Sequence, residues 1–93
     1  GRIMEKVIIS VVGKDSVGII ANVCTYLAQT GINVLNITQT IVDGYFNMMM
    51  IVNAAEATKD FQTIADDTAK LGKELGVQIL AQRSEIFDMM HRV

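Results

Sequence analysis

Two places in this chain hold residue types whose spacing could do chemistry. The first is Gly13-Lys14-Asp15-Ser16-Val17-Gly18, which separates a β-branched run from a helical pattern. At such a junction the first N–H groups of the helix lack partners and its positive dipole end is open. Together these receive a carboxylate or another small anion. Asp15 or Ser16 can instead accept from those N–H groups as a cap. Gly18 falls in the expected first turn, where a glycine is roughly 1 kcal/mol less favourable than alanine. A closely approaching ligand, or a neighbouring strand packed against it, would explain its presence. The second place is Asn33, which opens the strand after the first helix. Its amide both donates and accepts, as an amino-acid ligand requires; the plainer reading is a turn residue. The 13–18 stretch is not a phosphate loop, because Ile19-Ile20 stand where Lys and Ser/Thr are needed.

Other reactive residue types have plainer explanations. His91 is the single histidine, near the end of the last helical pattern, with no Cys/His/Asp partners at metal spacing. Cys24 falls on the apolar stripe of a helix and reads as a core thiol. Asp66-Asp67 sit on a charged helix face. Met48-Met49-Met50 alternate across a strand, so two of the three point to the same side. No catalytic residue, metal site or cofactor is expected.

Composition narrows the class further. The chain has 93 residues, 51% of them apolar, with a net charge of −2, no proline and one cysteine. That is one globular domain, with no intrachain disulfide and no basic footprint for nucleic acid. No run of residues is long enough to span a membrane, and no signal peptide is read, so a reducing cytoplasmic setting is expected.

The elements that must position the junction follow from periodicity. Lys6 to Val12 reads as a buried strand stopped by Gly13. A helix follows, with Ile20, Val23, Cys24, Leu27 and Ala28 on its inner face and Gly31 as terminator. Ile32–Val42 and Tyr45–Asn53 flank Asp43-Gly44, a type I′ hairpin signal. That turn pairs Val42 with Tyr45, Ile41 with Phe46, Gln39 with Met48, Ile37 with Met50 and Leu35 with Val52. Leu35, Ile37, Ile41, Phe46, Met48, Met50 and Val52 then form the core face. Thr58 or Lys59 to Leu75 is a helix with an inner stripe from Phe61 to Leu75 and outer i,i+4 pairs Asp66–Lys70 and Lys70–Glu74. Gly76 ends it, and Val77–Arg83 is the last strand. Ser84 caps a short helix, Glu85 to Arg92. The order β-α-β-β-α-β predicts an α+β, ferredoxin-like sandwich: a four-stranded antiparallel sheet with two helices on one face. The other face would carry Ile8, Val42, Tyr45, Met49, Ile51 and Leu80. That apolar patch calls for cover by the C-terminal helix or a second subunit.

Val-Val-Gly-Lys-Asp-Ser-Val-Gly-Ile-Ile-Ala (11–21) resembles the strand–loop–helix signature of ACT domains, and Gly-Ile-Asn-Val (31–34) resembles their entry to strand two. The resemblance covers 4–83. It extends, through the hairpin and Gln-Arg-Ser-Glu-Ile-Phe (82–87), to the small stand-alone ACT proteins of the UPF0237 group. It implies a ligand-binding domain over 4–83; the helical pattern of 84–93 and the apolar patch make that segment a C-terminal helix covering the sheet or a partner subunit. It implies a homodimer that binds an amino acid at its interface, with Lys14, Asp15, Ser16, Val17, Gly18 and Asn33 at the ligand. A loop histidine of the serine-binding members is Gly13 here, a departure that argues against serine. The expected role is non-enzymatic regulation through a small metabolite, with another regulatory protein or enzyme as a further partner. The rival role is a ligand-free interaction or dimerisation module acting on another regulator. Phosphate-hydrolysing relatives of the fold need a loop Arg, metal carriers need Cys-x-x-Cys, and RNA binders need exposed aromatics on a basic sheet; none of these is in the sequence.

Overall fold

The computed structural model describes residues 4–14 and 18–84. Its elements are β1 (Lys6–Lys14), α1 (Ile19–Thr30), β2 (Asn33–Val42), β3 (Tyr45–Asn53), α2 (Phe61–Leu75) and β4 (Gln78–Arg83). The sheet order is β2-β3-β1-β4 with every neighbouring pair antiparallel. This is the ferredoxin-like βαββαβ sandwich. The helix expected over 85–92 lies outside the described residues.

Alternation sorts the sheet into two faces. Val7, Ile9 and Val11 of β1, Phe46, Met48, Met50 and Val52 of β3, and Ile79 and Ala81 of β4 are all buried. Both helices lie over this face, contributing Ile19, Val23, Leu27 and Ile64 to the same core. Thr68 is buried among them, and its hydroxyl is satisfied by donating to the Ile64 and Ala65 carbonyls.

β2 departs from the sequence expectation. The hairpin pairs Ile41 with Phe46, Gln39 with Met48 and Ile37 with Met50 as expected, but the register then shifts between Val34 and Asn36. Val34, not Leu35, faces Val52. This bulge adds a residue that alternation cannot foresee. β2 is also an edge strand, and the helices cover only its start. Leu35, Ile37 and Ile41 are 42%, 43% and 60% exposed instead of joining the core.

The other boundaries move by a few residues. β1 runs on through Gly13 to Lys14, so Gly13 is a strand residue, not the start of a loop. β2 begins at Asn33 instead of Ile32, and β4 at Gln78 instead of Val77. α2 begins at Phe61, because Asp60 is its cap and accepts from the Thr63 N–H at 2.9 Å. α1 sits with Ile19, Val23, Leu27 and Thr30 inward, which leaves Ile20 and Ala28 exposed and Cys24 half-buried against the core. Both helices end as expected. At Gly31–Ile32 and Gly76–Val77 the paired backbone bonds return to the last turn. On the outer face of α2, Asp66 accepts from Gln62. The ion pair formed there is Lys59–Asp67, in place of those expected at Lys70.

Candidate functional site

The β1–α1 junction has the geometry of an open helix start. Gly18 is the cap residue of α1, with φ of +94°, a conformation that side chains rarely adopt. This corrects both sequence readings of Gly18, as a first-turn helix residue and as a glycine packed against a strand. Among the described residues, a Cβ there would meet only the Asn22 amide, at 3.5 Å. Asn22 clamps the turn, its backbone N–H and side-chain amide both donating to the Gly18 carbonyl, at 2.9 and 2.7 Å. Among the described residues no side chain caps the helix, and its first turn carries no acidic residue. Gly18 itself occupies the cap position, and the expected cap by Asp15 or Ser16 falls on residues outside those described. Asp15, Ser16 and Val17 lie outside the described residues. Lys14, exposed at the end of β1, pairs with Tyr45 beside the hairpin turn.

An open cleft of about 420 Å³ lies beside this start, lined by Ile20, Gln39, Thr40, Ile41 and Phe46. It exists because β2 projects past α1: Ile20 comes from the first turn of the helix and Ile41 from the uncovered row of the edge strand. Small-molecule sites have volumes in this range and mainly apolar walls.

Asn33 is not part of this cluster within one chain. It is exposed at the start of β2, paired with Asn53 at the opposite end of the sheet. The twelve residues of α1 lie between, a length of about 18 Å.

A second polar cluster, missed from the sequence, joins the two helices. The Tyr26 hydroxyl and the Lys59 ammonium both donate to Asp67 Oδ2 at 2.8 Å, and the ammonium also lies 5.6 Å from the Tyr26 ring centre. The cluster lines an open cleft of about 370 Å³ with Asn22, Gln29, Lys70 and Glu74 among its walls. The bonds from Lys59 and Tyr26 hold the Asp67 carboxyl below its usual range. The sequence expectation of a charged helix face at Asp66-Asp67 thus misses the role of Asp67, which turns toward Tyr26 of α1.

Burial, and the hydrogen bond to Asp67, push the Tyr26 phenol up to about 12. The neutral phenol is thus favoured by folding. Stability from this group is full below pH 10, where the unfolded phenol also keeps its proton, and drains away between about 10 and 12. An absorbance titration should show one tyrosinate appearing only near pH 12, and Tyr26→Phe should remove that step. Complete tyrosinate absorbance already at pH 11 would mean that the contact with Asp67 is not formed in solution.

Comparison with known proteins adds three findings. A family model described as an ACT domain matches residues 5–82. UPF0237 proteins of Bifidobacterium longum and Methanocaldococcus jannaschii are 60% and 43% identical over 90 residues, each alignment covering 97% of this chain and 100% of the relative. An ACT domain protein from Streptococcus pneumoniae has a solved structure that matches with a TM-score of 0.79 at 40% identity, covering 89% of this chain and 93% of that one.

Proposed function

We propose that this chain, which belongs to the ACT domain family, is a regulatory domain that binds an amino acid or a similar small metabolite between two copies of itself. The observation that carries this reading is the uncapped start of α1 at Gly18, opening beside the cleft under β2. The first-turn N–H groups, which Gly18 has no side chain to cap, suit a carboxylate, and the cleft beside them suits the rest of a small molecule. Asp15, next to this start in the sequence, would suit an α-ammonium group.

The second copy supplies what one chain lacks. β2 is a ten-residue edge strand with its outer N–H and C=O groups unpaired by the sheet and an exposed apolar row on its helix side. Such an edge is a template for another strand. If two β2 strands pair antiparallel about a two-fold axis, Asn33 of one chain lies opposite Val42 of the other. That end of β2 is the one beside Gly18. Asn33 and the helix start, separated within a chain, are thereby brought together between chains.

The role is binding, not catalysis. Cys24 is packed against the core, and Asp67 is committed to Lys59 and Tyr26. A cytoplasmic setting agrees with one unpaired thiol, and no described helix is long and apolar enough to cross a membrane.

Thermal unfolding against the twenty amino acids, with size exclusion in parallel, tests the reading. A ligand should raise Tm in proportion to the logarithm of its concentration above Kd. The protein should elute as a dimer, and Asn33→Leu should keep the dimer but lose the shift. Absence of a shift with all twenty, in a protein that still dimerises, favours the ligand-free interaction module. Elution as a monomer sinks the two-copy site.

A further inference from the structure

The cleft under β2 has walls of one chemical kind. Among the described residues they are Ile20, Gln39, Thr40, Ile41 and Phe46, and none of these carries a charge. Phe46 is buried in the core and reaches the cleft from β3. Ile41, its partner across the hairpin, is largely exposed, and Ile20 of α1 is 38% exposed. Single exposed isoleucines are ordinary on a protein surface. These two differ because they border one cavity, with a buried aromatic ring between them in its lining. Apolar surface arranged in this way favours an apolar occupant.

The walls also say which occupants do not suit. A charged side chain placed there would lose its water and meet no counter-charge among the described walls. A side chain no larger than a methyl group would leave the isoleucines as wet as before. The volume, about 420 Å³, lies toward the small end of the range for ligand sites. An amino acid whose carboxylate sits at the start of α1 would run its side chain past Ile20 toward Ile41 and Phe46.

We propose that the ligands of this cleft are amino acids with an apolar side chain larger than that of alanine, and that Ile20, Ile41 and Phe46 select them. The inference rests on the reading of the chain as an amino-acid-binding domain and adds to it the class of ligand. Selection comes from covering the two isoleucines, so it grows with the apolar area that the ligand brings.

Calorimetric titration of the full chain with each of the twenty amino acids tests this. The tightest ligand is expected among valine, leucine, isoleucine, methionine and phenylalanine. Alanine should bind at least about tenfold more weakly, the discrimination that missing methylene groups give in an apolar pocket. Aspartate and lysine should be weaker still. Ile20→Ala and Ile41→Ala alter exposed residues, so the fold is kept. Each should weaken the tightest ligand several-fold and leave alanine unchanged, because alanine does not reach these walls. Loss of the dimer or of the helix start would weaken both ligands together, so the ratio of the two affinities reports on the walls alone. Alanine binding as tightly as the larger amino acids overturns the inference while the amino-acid reading stands. So does a charged amino acid as the tightest ligand, or a ratio that neither variant changes. Absence of both heat and Tm shift with all twenty sinks the amino-acid reading itself, and this inference with it.

Discussion

Ile9→Ala is expected to lower the unfolding free energy by about 3 kcal/mol, and Tm by on the order of 15 °C. Ile9 is wholly buried in β1, between Met50 of β3 and Ala81 of β4, under both helices. Nothing around it can close in: β1 is held on both edges by antiparallel partners, so the lost methyl and methylene groups leave a cavity. The same substitution at Ile41 is the control. Ile41 was expected in the core from its alternation, but it is 60% exposed at the sheet edge. Ile41→Ala should therefore stay within about 0.5 kcal/mol of the parent in dilute protein, as surface changes do. A larger loss that grows with protein concentration would report β2 buried between two copies. Chemical denaturation of both variants at two concentrations measures all of this. Equal losses at the two positions in the dilute sample would contradict the uncovered edge described here.

Gly13→Ala is expected to destabilise the fold by about 2 kcal/mol, although alanine is the better strand residue. A Cβ at Gly13 would sit 2.5 Å from Val77 Cγ1 and 2.8 Å from Val77 Cβ. Val77 cannot retreat. Its N–H donates to the Gly72 carbonyl at 2.9 Å in the turn that ends α2, and a Cβ at Gly72 would in turn lie 2.8 Å from the Val77 carbonyl. Val77 is thus wedged between a glycine on β1 and a glycine on α2, where the chain turns from helix to strand. Val77→Ala removes the atom nearest to the new methyl. The double variant should recover part of the loss, so the two changes should be clearly non-additive. Simple addition of the two single losses would show that Gly13 is tolerant and that the wedge is loose. The same contact gives a physical reason for glycine at this position: any larger side chain there would collide with Val77.

Much of the fold was legible from local signals. Asp43-Gly44 set the hairpin register as far as Ile37, because a two-residue turn dictates which residues oppose. Gly31 and Gly76 marked both helix ends, and the Phe61–Leu75 stripe marked the buried face of α2. The site was legible only in part. The 13–18 stretch pointed to an open helix start, and Gly18 is there as its cap, but the positive φ that explains the glycine is a backbone property with no trace in spacing. The Tyr26–Lys59–Asp67 cluster escaped because its members come from α1, the loop before α2, and α2. Their meeting depends on how the two helices lie side by side.

From the chain alone came the order of elements, the helix-facing rows of β1 and β3, and the family. Each follows from periodicities of two and 3.6 residues, from turn chemistry, or from short motifs, all written within a few positions of one another. The tertiary structure decided what distance along the chain conceals. β2, apolar on the same face as its neighbours, is left uncovered because two helices cannot roof four strands. Leu35 slips out of register at a bulge, Ile8 is buried on the face turned away from α1 and α2, and Asn33 lies a full helix length from Gly18. Burial is a property of what lies above a residue, and that is settled by packing between elements, not by the pattern within one.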